Sequence, residues 1–194
     1  MDRSELEAYF LRKRRRKNAS KGKSFKFTIQ RQEQTNWCWA AVSATVVQYF
    51  QNETYWKQCD IVTEALKEEA CTGDASAPHI NKQWELDKAL SIVGCLKMMT
   101  DKKVPEEVVF HEIAKRRPLG ARIHWKGGGG HFVVIRGWFI GEDDALWYVI
   151  EDPLKKGGGT RTMPAAKFEK AFGRLGHGRW SHSYFVRDPA AVGA

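Results

Sequence analysis

The sequence has no long hydrophobic run. No segment approaches the roughly 20 apolar residues that a membrane-spanning helix needs, so that class is excluded. Cysteine is scarce, four residues in 194, and no Cys-x-x-Cys pair occurs. This excludes a disulfide-dense mini-protein and argues against a zinc site, whose thiolates usually come at short spacing. Acidic residues are the scarcer charge, 23 against 32 Lys and Arg, which leaves a formal net charge of +9. No apolar segment follows the basic N-terminus, so a Sec-type signal peptide is not expected. The expected location is the cytoplasm, or outside the cell after export by a specialised secretion system.

What is present suits a globular protein. Apolar residues make up 42% and aromatics 12%, enough for one sizeable core or two small lobes sharing an interface. The charge is uneven. Residues 1–26 hold +7 of the net +9, and the run Arg12–Lys23 has no apolar periodicity. Residues 1–23 therefore read as a mobile basic arm, preceded within it by a marginal helix over SELEAYFLRK. Without interleaved aromatics, the arm is weak support for nucleic-acid binding.

The folded part is expected over 24–194. Phe25, Phe27 and Ile29 alternate as in a strand. From Cys38 to about Asn52, Trp39, Val42, Val46 and Phe50 recur at helical spacing, and the segment is apolar on most sides, as in a buried helix. Further helices are expected over about 58–70 and 82–93, and one after Pro105, where Glu106 and Glu107 suit a helix start. After Pro118 the pattern turns to strands, at 119–125, 131–140, 145–151 and about 179–187, with a short helix near 165–172. Helices first and strands second predict an α+β protein.

The chemistry concentrates in QRQEQTNWCWAAVSA, residues 30–44. Cys38 falls where a loop enters the buried helix, with Thr35 or Asn36 as the expected N-cap. Unsatisfied N–H groups and the helix dipole at that position favour a thiolate, the nucleophilic form, and can cradle an oxyanion. Gln32, six residues earlier, offers a side-chain amide for the same purpose. Taken alone, Cys38 also reads as a small buried hydrophobe between two Trp residues; the flanking pattern favours chemistry.

A thiolate enzyme needs a base, and the base an orienting group. Among six His, His131 stands out. It follows four glycines and opens the strand HFVVIRGWFI. If this strand and 145–152 form a hairpin across Gly141–Asp144, Ile140 opposes Ala145 and Val133 opposes Asp152. His131 and Asp152 then share a face as diagonal neighbours, within side-chain reach. A one-residue slip would substitute Glu151 for Asp152.

The segment Gln32…Cys38-Trp39-Ala40-Ala41 resembles the papain-like cysteine proteases, and GHFVVIRGW…YVIEDP resembles their His strand and following Asp strand. The similarity is greatest to the small bacterial branch that includes plant-pathogen avirulence effector proteases. There the nucleophile is typically preceded by Asn or Asp and then Trp, as by Asn36-Trp37 here. The family's extra Cys beside the nucleophile is absent, with Thr35 in its place, and so is a long propeptide.

The resemblance implies a papain-like α+β fold, with a helical N-terminal lobe (about 31–117) packed on a C-terminal antiparallel β-sheet lobe (about 118–188). It implies Cys38 as nucleophile, His131 as general base and acid, Asp152 as orienter and Gln32 as oxyanion donor, with Gln34 a rival for that last role. No cofactor or metal is expected, the substrate is a protein or peptide, and the chain is expected to act as a monomer. A deamidase or transglutaminase uses the same groups, and an inactive papain-like binding module is a third reading. An effector or toxin role follows from the resemblance alone. Of the other cysteines, Cys59 and Cys71 can pair in an oxidising compartment, but reduced thiols are expected. His79, His111, His124, His177 and His182 read as surface or core-edge residues. The Trp residues read as packing, with Trp37 and Trp39 flanking the cleft.

Overall fold

The computed structural model describes residues 22–51, 56–154, 156–173 and 175–191. The N-terminal arm, apart from Gly22 and Lys23, lies outside them. Strand β1 (Gly22–Ser24) opens the chain and is followed by helices α1 (Cys38–Gln51), α2 (Gln58–Leu66) and α3 (Leu86–Ile92). Then come β2 (Leu96–Thr100), α4 (Glu106–Ala114), β3 (Leu119–Trp125), β4 (Gly130–Ile140) and β5 (Leu146–Asp152). Strand β6 (Gly159–Pro164), α5 (Ala165–Lys170) and β7 (Gly178–Val186) complete the α+β architecture.

Helix α1 is buried from Cys38 through Val47 without a break. Its run of Ala, Val, Ser and Thr is small enough to let α2, α3 and β4 close around it, and this central packing explains the absence of a polar face. The expected caps do not act as caps. The Trp37 carbonyl accepts the first intrahelical bond, from Ala41 N–H at 2.9 Å. Thr35 and Asn36 are instead drawn to Asn81: Asn36 N–H donates to Asn81 Oδ1 at 2.9 Å, and Asn81 Nδ2 donates to Thr35 Oγ1 at 2.8 Å.

Two helices are shorter than their sequence pattern. α2 stops at Leu66 because Lys67 turns left-handed, with φ 58°. α3 begins only at Leu86, because the preceding segment is extended; there the Lys82 carbonyl accepts from Trp39 Nε1 at 3.1 Å. The chain reversal after α2 brings Cys71 back to Cys59, with Cα atoms 4.9 Å apart, and the two form a disulfide. The expectation of reduced thiols is thus corrected: the left-handed exit at Lys67 folds the chain back within bonding distance.

The strands form one antiparallel sheet in the order β2-β7-β3-β4-β5-β6, with β1 paired to the far end of β4. Phe25, Phe27 and Ile29 are buried at alternate positions as expected, but past Phe25, whose N–H still donates to the Arg136 carbonyl of β4 at 3.4 Å, the segment is not part of a strand. Sequence reasoning missed β2 and β6. β2 is an edge strand with Met98 exposed, and β6 grows out of a glycine run. Neither carries the buried alternation that marks a strand. β2 lies within the stretch read as helical and joins the sheet through β7, and α4 packs on β4, with Phe110 and Trp138 rings 4.1 Å apart. Behind β5 and β7, Tyr148, Phe168, Phe172 and Trp180 interlock edge to face.

The β4–β5 hairpin matters most for the site. Its loop is one residue shorter than the sequence suggests: Gly141 N–H donates to Ala145 C=O at 2.8 Å, and Asp144 turns left-handed. Ile140 therefore opposes Leu146, not Ala145. A bulge between Ile135 and Gly137 then shifts the register back, so that Ile135 opposes Ile150 and Val134 opposes Glu151. Beyond the bulge the strands run in the register expected from the sequence.

Candidate active site

Cys38 is the first residue of α1 and is buried except where its thiol meets a cleft of about 640 Å³. Trp39, Trp84, Phe132 and Tyr184 wall this cleft with aromatic surface. His131 comes from the start of β4 and Asp152 from the end of β5, and the bulge above sets both on one face of the hairpin. His131 Nε2 lies 2.8 Å from Asp152 Oδ1. The Cys38 sulfur lies near enough to His131 to raise the imidazole pKa as well. With Nε2 engaged by Asp152, Nδ1 is the ring nitrogen left for the thiol. Trp125 stacks on the imidazole, centroids 6.4 Å apart and planes at 18°.

The electrostatics favour a charged imidazole. Burial pushes the His131 pKa down, but the hydrogen bond to Asp152 and the contact with Cys38 outweigh it and raise the value to about 9. For Asp152, burial pushes upward. The hydrogen bond and charge of His131, the Leu154 N–H donated at 3.0 Å, and the Arg161 guanidinium together hold it below its ordinary value. Arg161 Nη2 stands 3.0 Å from Asp152 Oδ2.

Gln32 is buried in the loop before α1, but both hydrogens of its amide are occupied. Nε2 donates to the Gln34 carbonyl at 2.8 Å and to the Thr35 carbonyl at 2.7 Å, while Oε1 finds no partner among the described residues. The amide thus shapes the loop that delivers Cys38. Gln34 is half-buried, and its carbonyl also accepts from Trp37 N–H at 3.2 Å. The same loop is fastened to the sheet beside Asp152. Gln32 N–H donates to the Pro153 carbonyl at 2.8 Å, and Arg31 Nη1 donates to the Leu154 carbonyl at 3.0 Å. Gly158 leaves room for Arg31, since a Cβ there would lie 2.4 Å from Nη1.

Cys38, His131 and Asp152 are therefore brought together from three distant segments. Arg161, Arg31 and Trp125 were not foreseen. Arg161 follows three glycines on a strand with no sequence signature, and only the β5–β6 pairing carries it to Asp152. Glu151, the sequence rival of Asp152, points away from His131 and is held by Arg136 Nε at 2.7 Å and by the Thr160 hydroxyl at 2.7 Å. The remaining histidines lie at exposed or half-buried positions. Among the described residues, the group close enough to share a metal is Cys59, Asp60 and Cys71, and both its sulfurs are spent in the disulfide. No helix among the described residues is long and apolar enough to cross a membrane.

A thiol at the start of a buried helix, facing a His–Asp pair on an antiparallel sheet, is the arrangement of a cysteine-type peptidase of papain-like architecture. The family described as papain-like cysteine protease AvrRpt2 matches residues 20–171, and the chain belongs to that family. Among solved structures, the chain is similar to bromelain protease from Ananas comosus in complex with the E64 inhibitor. Identity is 9%, the TM-score 0.48, and the match covers 86% of this chain and 99% of that one. It is also similar to the proform of Amb a 11, a ragweed pollen cysteine protease. There identity is 13% and the TM-score 0.48, over 87% of this chain and 66% of the other. Among curated proteins no match was found.

Proposed function

We propose that this chain hydrolyses peptide bonds in protein substrates through a Cys38–His131–Asp152 triad. The Cys38 thiolate attacks the scissile carbonyl carbon, and the oxygen takes up the negative charge. As the tetrahedral adduct collapses, the His131 imidazolium gives its proton to the departing amine, the C–N bond breaks and a thioester remains. Neutral His131 then takes a proton from water. The hydroxide displaces the Cys38 sulfur, and the carboxylate product leaves. Asp152 holds the ring with its other nitrogen toward the sulfur and stabilises the imidazolium.

The oxyanion is received by N–H groups at the start of α1, which have no intrahelical partner. Gln32 joins them by exchanging one loop carbonyl for the substrate oxygen. The observation that carries this reading is the buried His131–Asp152 contact at 2.8 Å, with Cys38 coupled to the same ring. Use of this activity as an exported effector or toxin is part of the proposal and rests on the family membership.

Purified full-length protein is expected to cleave a denatured protein substrate, and Cys38→Ala and His131→Ala are each expected to abolish cleavage while retaining the wild-type circular dichroism spectrum. Cleavage by folded Cys38→Ala at the wild-type rate would refute the mechanism.

A further inference from the structure

A second cavity, of about 710 Å³, opens between residues 101–103, β3, α5 and the start of β7. Its walls carry Lys102, Arg122, Lys170 and Arg179, against Asp101 and Glu169. Glu169 is already paired with Lys103. The other four cations have no ion-pair partner among the described residues. Residues 27–194 carry a net charge of only +2, so this is a local concentration rather than a general basicity.

The cavity adjoins the cleft at Cys38. Arg122 and His182, partners across β3 and β7, line both. Arg122 also lies over Gly130, the residue before His131: a Cβ on Gly130 would meet its Nε at 3.0 Å. The near cavity is walled by aromatic side chains and includes Glu85 and Asp87. Cations dominate only beyond Arg122. An extended chain leaving the cleft past Gly130 therefore crosses from an aromatic wall to a cationic one.

We propose that the second cavity is a substrate subsite that takes an acidic segment of the polypeptide, with carboxylates paired to Lys102, Arg122 and Arg179. This rests on the peptidase reading. The occupant is a peptide rather than a small free anion because the basic cavity shares its wall with the site where the chain would be cut. The complementary charges raise affinity and fix the position of the chain.

Two measurements test it. The first is site-resolved NMR of the full chain carrying Cys38→Ala, titrated with hexaglutamate, hexaglutamine or pyrophosphate. Hexaglutamate is expected to shift and saturate the amides of 101–103, 122–124 and 179–182, and hexaglutamine is not. Lys102→Glu with Arg179→Glu should weaken that binding about tenfold or more. Shifts confined to the N-terminal arm, or saturation of these amides by pyrophosphate but not by hexaglutamate, would overturn the proposal.

The second is cleavage of a proteome-derived peptide library by the active full chain. Asp and Glu should be enriched at a fixed separation from the cut, and the double variant should lose that enrichment while retaining the wild-type circular dichroism spectrum. Efficient cutting without such enrichment sinks the subsite and leaves the peptidase reading standing. An uncut library with saturable hexaglutamate shifts sinks the peptidase reading instead and supports the anionic peptide site.

Discussion

At the scale of single residues, the site depends on two side chains whose roles differ from their packing. Gln32 spends both amide hydrogens inside its own loop, so the proposed oxyanion role requires an exchange of partners when substrate arrives. Gln32→Ala should lower kcat about a hundredfold while KM changes little, as for loss of one oxyanion donor; stopped-flow or steady-state kinetics on a fluorogenic peptide would read it, and an unchanged kcat would remove Gln32 from the chemistry. In the proposed mechanism Asp152 acts through His131. Its hydrogen bond and charge raise the imidazole pKa, so the imidazolium persists up to about pH 9. Asp152→Asn removes the charge and lowers that pKa, so the alkaline limb of the kcat/KM profile should move to lower pH. A limb that stays in place would mean Asp152 does not tune the ring. The placements of Cys38, His131 and Asp152 in the fold were legible because each sits in a local pattern: a helix start, a glycine-flanked strand start and a strand end before Pro153. Arg161 was not legible because only the β5–β6 pairing carries it to Asp152; Trp125 and the occupied Gln32 amide were not legible because their nearby partners are set by turn and loop conformations that leave no periodic trace.

Among the elements, the β4–β5 hairpin decides which carboxylate serves His131. Two departures from the simple hairpin offset each other. The loop is shorter by one residue, and the Arg136 bulge restores the shift, so Asp152 rather than Glu151 comes to the ring face. The sequence could support the correct face but not the path to it, since neither a left-handed Asp144 nor a bulge leaves a periodic trace. The bulge also has a use. Arg136 reaches Glu151, which is buried on the opposite face, and donates to the Phe25 carbonyl at 3.2 Å. Arg136→Met leaves that carboxylate buried without its cation, a loss that costs about 3 kcal/mol in folded proteins. Urea unfolding should show an unfolding free energy lower by that amount, while kcat per folded molecule stays near wild type because Glu151 faces away from His131. A collapse of kcat with unchanged stability would reverse the assignment of the two acids. The helices show the same limit of legibility. α1 was read closely because ten consecutive buried residues write a strong pattern, whereas the ends of α2 and α3 are fixed by a left-handed residue and by a carbonyl lent to Trp39.

In the whole molecule, the thiol and the imidazole belong to different halves of the chain, so the charge state of the site is tied to how the helices dock on the sheet. The Gln32–Pro153 and Arg31–Leu154 bonds fasten the nucleophile loop to the strand that ends in Asp152, and the Asp152–His131–Cys38 contacts continue that seam. A protonated His131 is favoured in the fold and much less so in the unfolded chain, so it links docking to pH. The folded-state pKa of about 9 lies above the ordinary 6.5. Its contribution to stability is therefore complete below about 6.5, falls as pH rises, and is gone above about 9. Asp152 works in the opposite sense: its lowered pKa adds stability above its ordinary value of 3.8, which is lost as pH falls through and below it. The difference in unfolding free energy between wild type and His131→Gln should thus be largest near pH 5–6 and shrink steadily between 6.5 and 9. Taking the difference cancels the titration of groups elsewhere in the molecule. Chemical denaturation at closely spaced pH values would measure it, and a difference that stays flat across that window would mean the imidazolium does not hold the two halves together.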